Sequence, residues 1–413
     1  MVTQLLGTHK LGKKNTLEWA GGYNIVDADE PNRIRNEVNI MNDDGRIQLG
    51  RTGGFQQRKS KQEISDTEFS GYLKDVLQII DEEEKSFKVE IGINYRNKER
   101  DFFSQFIGVE ERATDVVNPP SIDDLGSIFQ RGNFENGLLE FNILQPDLYN
   151  GKLISQAAFA DFNVGLGKWN FNAGLRYQRD DINVGFDVGN FPGRIGESVK
   201  EYNNLYPSLN IKYDINEKQG LRLAVSRTIT LPEFKEISPF EYVSQTGQVT
   251  RGNPGLEASR DLNYDLKWEY FPSNGQLISL AAFYKDISDP INKVQDRGSA
   301  GVFSFFNSGE KAEIYGFEAE TKIDLVSPII NDEDGSMSGY GLNLVFNATR
   351  MWHSQDLKEV RNENGNFVRT FSYKGLTETG LQGASDWIVN TSLNFNTAGE
   401  NSFDASLTAN FAS

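Results

Sequence analysis

Imidazole, carboxylate and amide side chains are the groups through which this chain of 413 residues could do chemistry. Only two imidazoles are present, His9 and His353. They lie far apart, neither sits in a metal-ligand spacing, and no serine motif surrounds His353. Cysteine is absent, which removes disulfides, thiolate metal sites and a cysteine nucleophile. Asn42-Asp43-Asp44-Gly45 and Asp332-Glu333-Asp334-Gly335 are oxygen-rich in the manner of calcium loops. A full loop needs further spaced oxygens and a distal bidentate Glu, and none can be placed, so both read as acidic turns. Asp81–Glu84 reads as a solvated hairpin turn. Carboxylate pairs are too numerous here to mark an acid–base site without geometry. No catalytic, cofactor-binding or metal-binding residue is assigned, substrate contacts remain unassigned, and the chain is not read as an enzyme.

A row of mixed charge is more informative: Lys88, Glu90, Arg96, Arg176, Lys212, Arg222, Asp265, Lys267, Glu269, Glu318, Glu320 and Lys322. Each lies in a segment where apolar and polar residues alternate. Trp169, Phe171, Ala173, Leu175 and Tyr177 alternate with Asn170, Asn172, Gly174, Arg176 and Gln178. Leu262, Tyr264, Leu266, Trp268 and Tyr270 alternate with Asn263, Asp265, Lys267 and Glu269. Phe87, Val89, Ile91, Ile93 and Tyr95 do so with Lys88, Glu90, Asn94 and Arg96. Side chains on a strand change face at every residue, so each segment is a strand with one apolar and one charged face. Strands that cross a bilayer need about 9–11 residues, against about five or six in soluble sheets. These segments have the longer length. The row then lines a wetted lumen, either as a simply solvated surface or as a hydrogen-bonding wall.

Composition is consistent with that architecture. No apolar run is long enough for a membrane helix, whereas a barrel averages its hydropathy because every second residue faces water. With 42 basic and 59 acidic residues the net charge is −17. That balance argues against nucleic acid, whose binding relies on Lys and Arg neutralising phosphates.

Turn signals divide the chain into about fourteen strands in seven hairpins. Short turns are expected at Lys10–Lys14, Asp81–Lys85, Gly167–Lys168, Asp214–Gln219, Pro272–Gly275 and Thr397–Asn401. Long polar connections are expected at Asp27–Asp66, Glu99–Lys152, Asp181–Asn204, the stretch before Ser259, Ser288–Lys311 and His353–Ser385. Short–long alternation is what periplasmic turns and extracellular loops produce in an up-and-down barrel. Trp19, Tyr23, Trp169, Tyr177, Trp268, Tyr270, Tyr284 and Trp387 fall near the ends of the apolar faces, where rings with a polar tip suit the bilayer interface. Phe129, Phe134, Phe141 and Tyr149, in the loop Val109–Gly151, either cap a ligand or pack among themselves.

Arg227-Thr228-Ile229-Thr230-Leu231-Pro232-Glu233-Phe234, Ser238-Pro239-Phe240 and Arg251-Gly252-Asn253-Pro254-Gly255-Leu256-Glu257 precede the strand holding Asn263-Tyr264-Asp265-Leu266. Phe283-Tyr284-Lys285-Asp286-Ile287 and Tyr315-Gly316-Phe317-Glu318 follow it. Asp29-Glu30-Pro31-Asn32-Arg33 stands earlier. This ordered series resembles the barrel of a TonB-dependent outer-membrane receptor, over about ninety residues at motif level and most of the chain in pattern. Gly252, Asn253 and Pro254 are turn-formers that would return a long loop to the rim. Gly316 suits a bulge or a close backbone approach.

The resemblance implies an all-β antiparallel transmembrane barrel of twenty-two strands, an N-terminal plug and a TonB box. Residues 1–413 then read as an internal barrel segment in the bacterial outer membrane. Met1–Asn15 carries no export signal, and Ser402–Ala412 still alternates at the C-terminal end. An unclosed wall is therefore expected, with closure against Val2–Val26 as the alternative. The implied activity is TonB-energised uptake of a scarce solute: a siderophore, cobalamin, an oligosaccharide or a peptide. The implied partners are outer-membrane lipid, the TonB complex, the small solute and a surface lipoprotein. A passive porin-like channel and a barrel enzyme are the rival readings.

Overall fold

The structure, a computed structural model, describes residues 1–40, 47–49, 57–112, 121–244, 247–295, 301–327, 329–330, 337–357, 376–398 and 402–413. Fourteen long strands form one antiparallel wall. They are β1 (Val2–Leu11), β2 (Asn15–Asn36), β3 (Gln57–Asp81), β4 (Lys85–Glu111), β5 (Asp147–Leu166), β6 (Trp169–Asp187) and β7 (Ile195–Asn216). The second half comprises β8 (Gln219–Thr230), β9 (Ser259–Tyr270), β10 (Leu277–Ser288), β11 (Lys311–Val326), β12 (Met337–Asp356), β13 (Trp387–Ala398) and β14 (Asp404–Ala412). Each pairs with its successor in sequence. Among the described residues, β1 pairs only with β2 and β14 only with β13. No described helix is long and apolar enough to cross a membrane; the crossing elements are strands.

Cross-strand register places the faces. Leu209 lies between Ala173 and Val225, Val225 opposite Tyr264, Leu223 opposite Leu266, and Leu221 opposite Trp268. The apolar rows of β6 and β9 therefore belong to one surface, and Leu175, Tyr177, Leu262, Tyr264 and Leu266 are all exposed on it. Lys88, Glu90, Arg96, Arg176, Lys212, Arg222, Asp265, Lys267, Glu269, Glu318, Glu320 and Lys322 all fall on the other face by the same register. Side chains there reach over an intervening strand, as a concave surface permits: Arg176 of β6 donates to Asn94 of β4 at 2.8 Å.

Short turns gather at one end, because consecutive antiparallel strands place alternate connections at opposite ends. The strands themselves are longer than the sequence pattern suggests. β3 has 25 residues and β4 has 27, about 80–90 Å of extended chain at 3.3 Å per residue. Much of Asp27–Asp66, part of Glu99–Lys152 and nearly all of Asp181–Asn204 are strand; the last contains only the hairpin Val188–Arg194. The correction has a physical cause. On the outer face, alternation ends where Tyr95 gives way to Asn97 and Glu99, Tyr177 to Arg179 and Asp181, and Leu205 to Asn203 and Glu201. Above that line both faces meet water, so the ladder continues without an apolar stripe to announce it. The aromatic tips mark the boundary: Tyr177 donates to Asn203 at 3.1 Å and Tyr284 to Glu313 at 3.1 Å.

Leu223 sits within the apolar belt and Asn210, one strand away, faces the lumen. Leu223→Arg is expected to cost about 2–4 kcal/mol of stability in lipid, whereas Asn210→Arg should stay within roughly 0.5 kcal/mol. Denaturant unfolding in lipid vesicles measures both, and equal costs would reverse the assignment of the two faces.

Candidate functional site: the lumen wall and its inner ledge

The lower lumen is a lattice of charge. Lys74 bridges Glu18 at 3.0 Å and Glu90 at 2.9 Å, and Lys88 joins Glu90 at 2.6 Å. Arg96 holds Glu68 at 2.8 Å, and Arg100 makes a forked contact with Asp66 at 2.5 and 2.6 Å. Arg222 pairs with Glu269 at 2.6 Å, and Lys267 lies 3.5 Å from Glu320. Wetted pairs of this kind contribute only about 0–1 kcal/mol each. Their effect is positional, since they hold donors and acceptors upright along the wall. A polar cavity of about 370 Å³ opens among Gln4, Tyr72, Asn94, Arg96, Arg176 and Gln178.

Higher up, the same face becomes apolar. Phe102 of β4, Tyr149 and Leu153 of β5, and Ile182, Val184 and Phe186 of β6 are buried there. They are covered by residues 231–244 and 247–258 of the connection between β8 and β9, which fold inward as a ledge. Phe234 and Ile237, on a single helical turn, and Phe240 insert into this patch. Burying three such side chains contributes at most about 5–9 kcal/mol, which exceeds the worth of the charge lattice pair by pair. Glycine is required beneath the ledge: a Cβ on Gly151 would lie 2.5 Å from the Phe234 ring.

Polar tethers fix the ledge to the wall. Lys200, its side chain 6% exposed, holds Glu257 at 2.9 Å, and Tyr202 donates to the same carboxylate at 2.9 Å. Ser198 donates to the Pro254 carbonyl at 2.9 Å, and Arg33 to the Val243 carbonyl at 2.9 Å. Within the ledge Glu241–Val243 pairs with Val249–Arg251, which joins Phe303–Asn307 and Ile291–Gln295 in a small separate sheet. The Gly252-Asn253-Pro254 turn closes tightly on this structure. A Cβ on Gly252 would fall 1.8 Å from the Ser238 carbonyl oxygen, and Asn253 donates to the Phe305 carbonyl at 2.9 Å. Gly316 is a close approach: a Cβ there would meet the Arg350 carbonyl at 2.3 Å.

Other candidate groups are placed structurally. His9 stacks on Trp19 and accepts its indole N–H at 3.1 Å on the outer face. His353 accepts the Leu381 N–H at 2.9 Å and lies 3.4 Å from Asp386. Phe134 stacks on Phe141 at 4.4 Å, and Phe129 and Phe134 pack against Leu49, Ile128 and Leu139. Tyr149 is a strand residue of the apolar patch, stacked on Phe102 at 4.6 Å. Asn42–Gly45 and Asp332–Gly335 lie outside the described residues. Among the described residues, no group of three or more His, Asp and Glu side chains is placed to hold a metal ion.

The ledge contacts were not read from the sequence, although a signal for them exists. In β6 the apolar residues are odd-numbered up to Tyr177 and even-numbered from Ile182 to Phe186. That reversal of phase marks where burial moves from the lipid side to the lumen side.

A long-stranded antiparallel wall with an apolar exterior, a charged interior and an infolded extracellular connection defines an outer-membrane β-barrel of the receptor class. The family model for the β-barrel of TonB dependent receptor-like proteins matches residues 6–412, and the chain belongs to that family. It resides in the bacterial outer membrane. A curated relative, the iron-regulated outer membrane virulence protein of Vibrio cholerae, is 23% identical over 192 residues, covering 40% of this chain and 29% of that protein. The siderophore receptor PiuA of Acinetobacter baumannii superposes with a TM-score of 0.62 at 10% identity, over 98% of this chain and 56% of that one. The ferric yersiniabactin uptake receptor FyuA of Yersinia pestis gives 0.57 at 12% identity, over 100% and 49%. The RagAB peptide transporter gives 0.53 at 14% identity, over 100% and 46%. The chain thus spans about half the length of these solved structures.

Burial raises the Glu236 carboxyl above its ordinary range, against the lowering effect of the Glu233 N–H that it caps at 2.9 Å. A carboxyl with a raised folded pKa adds stability below its unfolded value of about 4.3 and loses it as pH rises through the folded value. Amide exchange in the ledge should therefore quicken as pH rises above about 4.3, after correction for intrinsic rates. Glu236→Gln, which keeps an oxygen acceptor, should flatten that dependence. An unchanged profile in the variant would remove Glu236 as its source.

Proposed function

We propose that this barrel belongs to an energised importer that captures a scarce solute at its extracellular end and passes it along the charged lumen wall. The carrying observation is the ledge, anchored by Phe234, Ile237 and Phe240 on the lumen side and tethered at Lys200, Ser198 and Arg33. A fixed obstruction near the mouth suits selective capture, whereas a passive channel works best with an open bore. The charge lattice below suits the gripping of a plug domain, and TonB, driven by the proton-motive force, would supply the energy to move it. The solute is a siderophore, cobalamin, an oligosaccharide or a peptide. Names among the relatives span ferric siderophores and peptides, at identities that support the fold and leave the solute class open. A surface lipoprotein is a further partner under this reading.

The test compares uptake of labelled ferric citrate, cobalamin, maltoheptaose and a defined peptide mixture in cells with and without the intact gene. Energised import predicts saturable, gene-dependent uptake of one of these solutes that stops on adding a protonophore or deleting TonB. Uptake that rises linearly with concentration and ignores the protonophore would favour the passive channel, and no gene-dependent difference for any solute would also count against the reading.

A further inference from the structure

Pro31 and Asn32 do more than punctuate a strand. From Asn15 to Glu30, even-numbered residues of β2 face the lumen, as in the pairing Glu30 opposite Gln62. Between Glu30 and Arg33 the register shifts, and beyond it Arg33 lies opposite Ser60 and Arg35 opposite Arg58. One extra residue in a strand reverses which face every later side chain occupies. The bulge therefore turns Arg33 and Arg35 onto the lumen face, where Arg58 already lies. Proline suits this position because it cannot donate to the ladder.

Three guanidinium groups are thereby gathered on adjacent strands at the outer mouth. Like charges directly opposite one another destabilise a strand pair, and this cluster has little to offset them. Arg33 is 3.7 Å from Glu30 and Arg35 is 3.7 Å from Glu37, both long contacts to exposed carboxylates. Among the described residues Arg58 makes no ion pair; its guanidinium lies 5.5 Å from the centre of the Phe106 ring. All three are only half-exposed. The ledge presses on them: Arg33 donates to the Val243 carbonyl at 2.9 Å, and a Cβ on Gly247 would sit 2.8 Å from Arg35 Nη2. Burial and the charges of Arg35 and Arg33 disfavour the protonated form of Arg58 and the nearby Glu37 carboxylate favours it; the guanidinium stays charged, as it does in proteins generally. Three cations set against the carboxylates of Glu30 and Glu37 leave this corner of the mouth net positive, in a chain whose net charge is −17.

We propose that Arg33, Arg35 and Arg58 form an oxyanion-recognition site at the outer mouth of the lumen, selecting solutes that carry carboxylate or phosphate groups. Forked N–H donors match both groups with two parallel bonds. This deepens the import reading and rests on it for the solute's fate, while binding is measured separately from transport. An oxyanion could come from a soluble solute or from a lipid phosphate of the surrounding leaflet. The lumen-side placement favours the solute.

The experiment titrates the native protein, purified from outer membranes, with tricarballylate, and uses its uncharged trimethyl ester as control. Heat-modifiable migration on gels verifies that each variant is folded. We expect saturable binding of the tricarboxylate alone, weakened about tenfold or more in folded Arg58→Gln and Arg35→Gln, as loss of charge-assisted bonds implies. Lys59→Gln, on the opposite face of the same strand, should bind as the parent does. Arg35→Lys should fall between Arg35→Gln and the parent. Binding of the ester as well as the acid, or equal affinity in the glutamine variants and the parent, would overturn the site. Competition by lipopolysaccharide vesicles would reassign it to a lipid headgroup and also overturn the proposal. Failure of any of these leaves energised import of a neutral or cationic solute intact, so the two readings fail separately.

Discussion

Hydrocarbon offers no hydrogen-bond partner to a peptide group, and each unsatisfied one costs several kcal/mol there. Everything else in this wall follows from meeting that constraint. Within the apolar belt each strand from β2 to β13 is bonded to its sequence neighbours on both sides, with register shifts confined to a few places near strand ends. Once the ladder is continuous, the period-two geometry of the strand sorts every side chain to lipid or lumen. Leu223 and Arg222 occupy adjacent positions and opposite solvents for no reason beyond this.

The ladder outlives the membrane that demands it. β2, β3 and β4 continue past the outward ring pair Phe69 and Tyr95, with Asp27, Glu63 and Asp101 on what had been the lipid side. There the outer face is held by polar contacts such as Ser65 to Asp27 at 2.7 Å and Lys152 to Glu99 at 2.7 Å. Burial migrates inward instead, to Phe102, Tyr149, Ile182, Val184 and Phe186. An extended rim of this kind gives the ledge a rigid surface to pack on, away from lipid and above the charged bore.

Lumen and mouth use charge differently. In the bore, cations and carboxylates alternate and neutralise one another, with Lys74 shared between Glu18 and Glu90. At the mouth, the bulge at Pro31-Asn32 concentrates guanidinium groups with weak compensation. The first arrangement leaves little net field along the wall, and the second leaves a net positive one at the mouth.

The lipid-facing stripes, the short turns and the aromatic boundary were legible in the amino-acid sequence, because transfer into lipid imposes a two-residue period over each crossing. Trp169 to Tyr177 and Phe87 to Tyr95 record that period directly, and the motifs from Arg227 to Glu318 carried the family. Strand lengths above the membrane were not legible: with water on the outside the period loses its cause, so Asp181–Asn204 looks like a loop and folds as a hairpin. The ledge was decided by tertiary structure, since Phe240 meets Phe102 and Phe234 lies over Gly151 only after strands distant in sequence have aligned. The arginine cluster needed both, because Pro31 signals a disruption but only the paired register shows that it turns Arg33 and Arg35 toward Arg58. A face reversal is a property of two strands in register, and a single strand's sequence does not contain it.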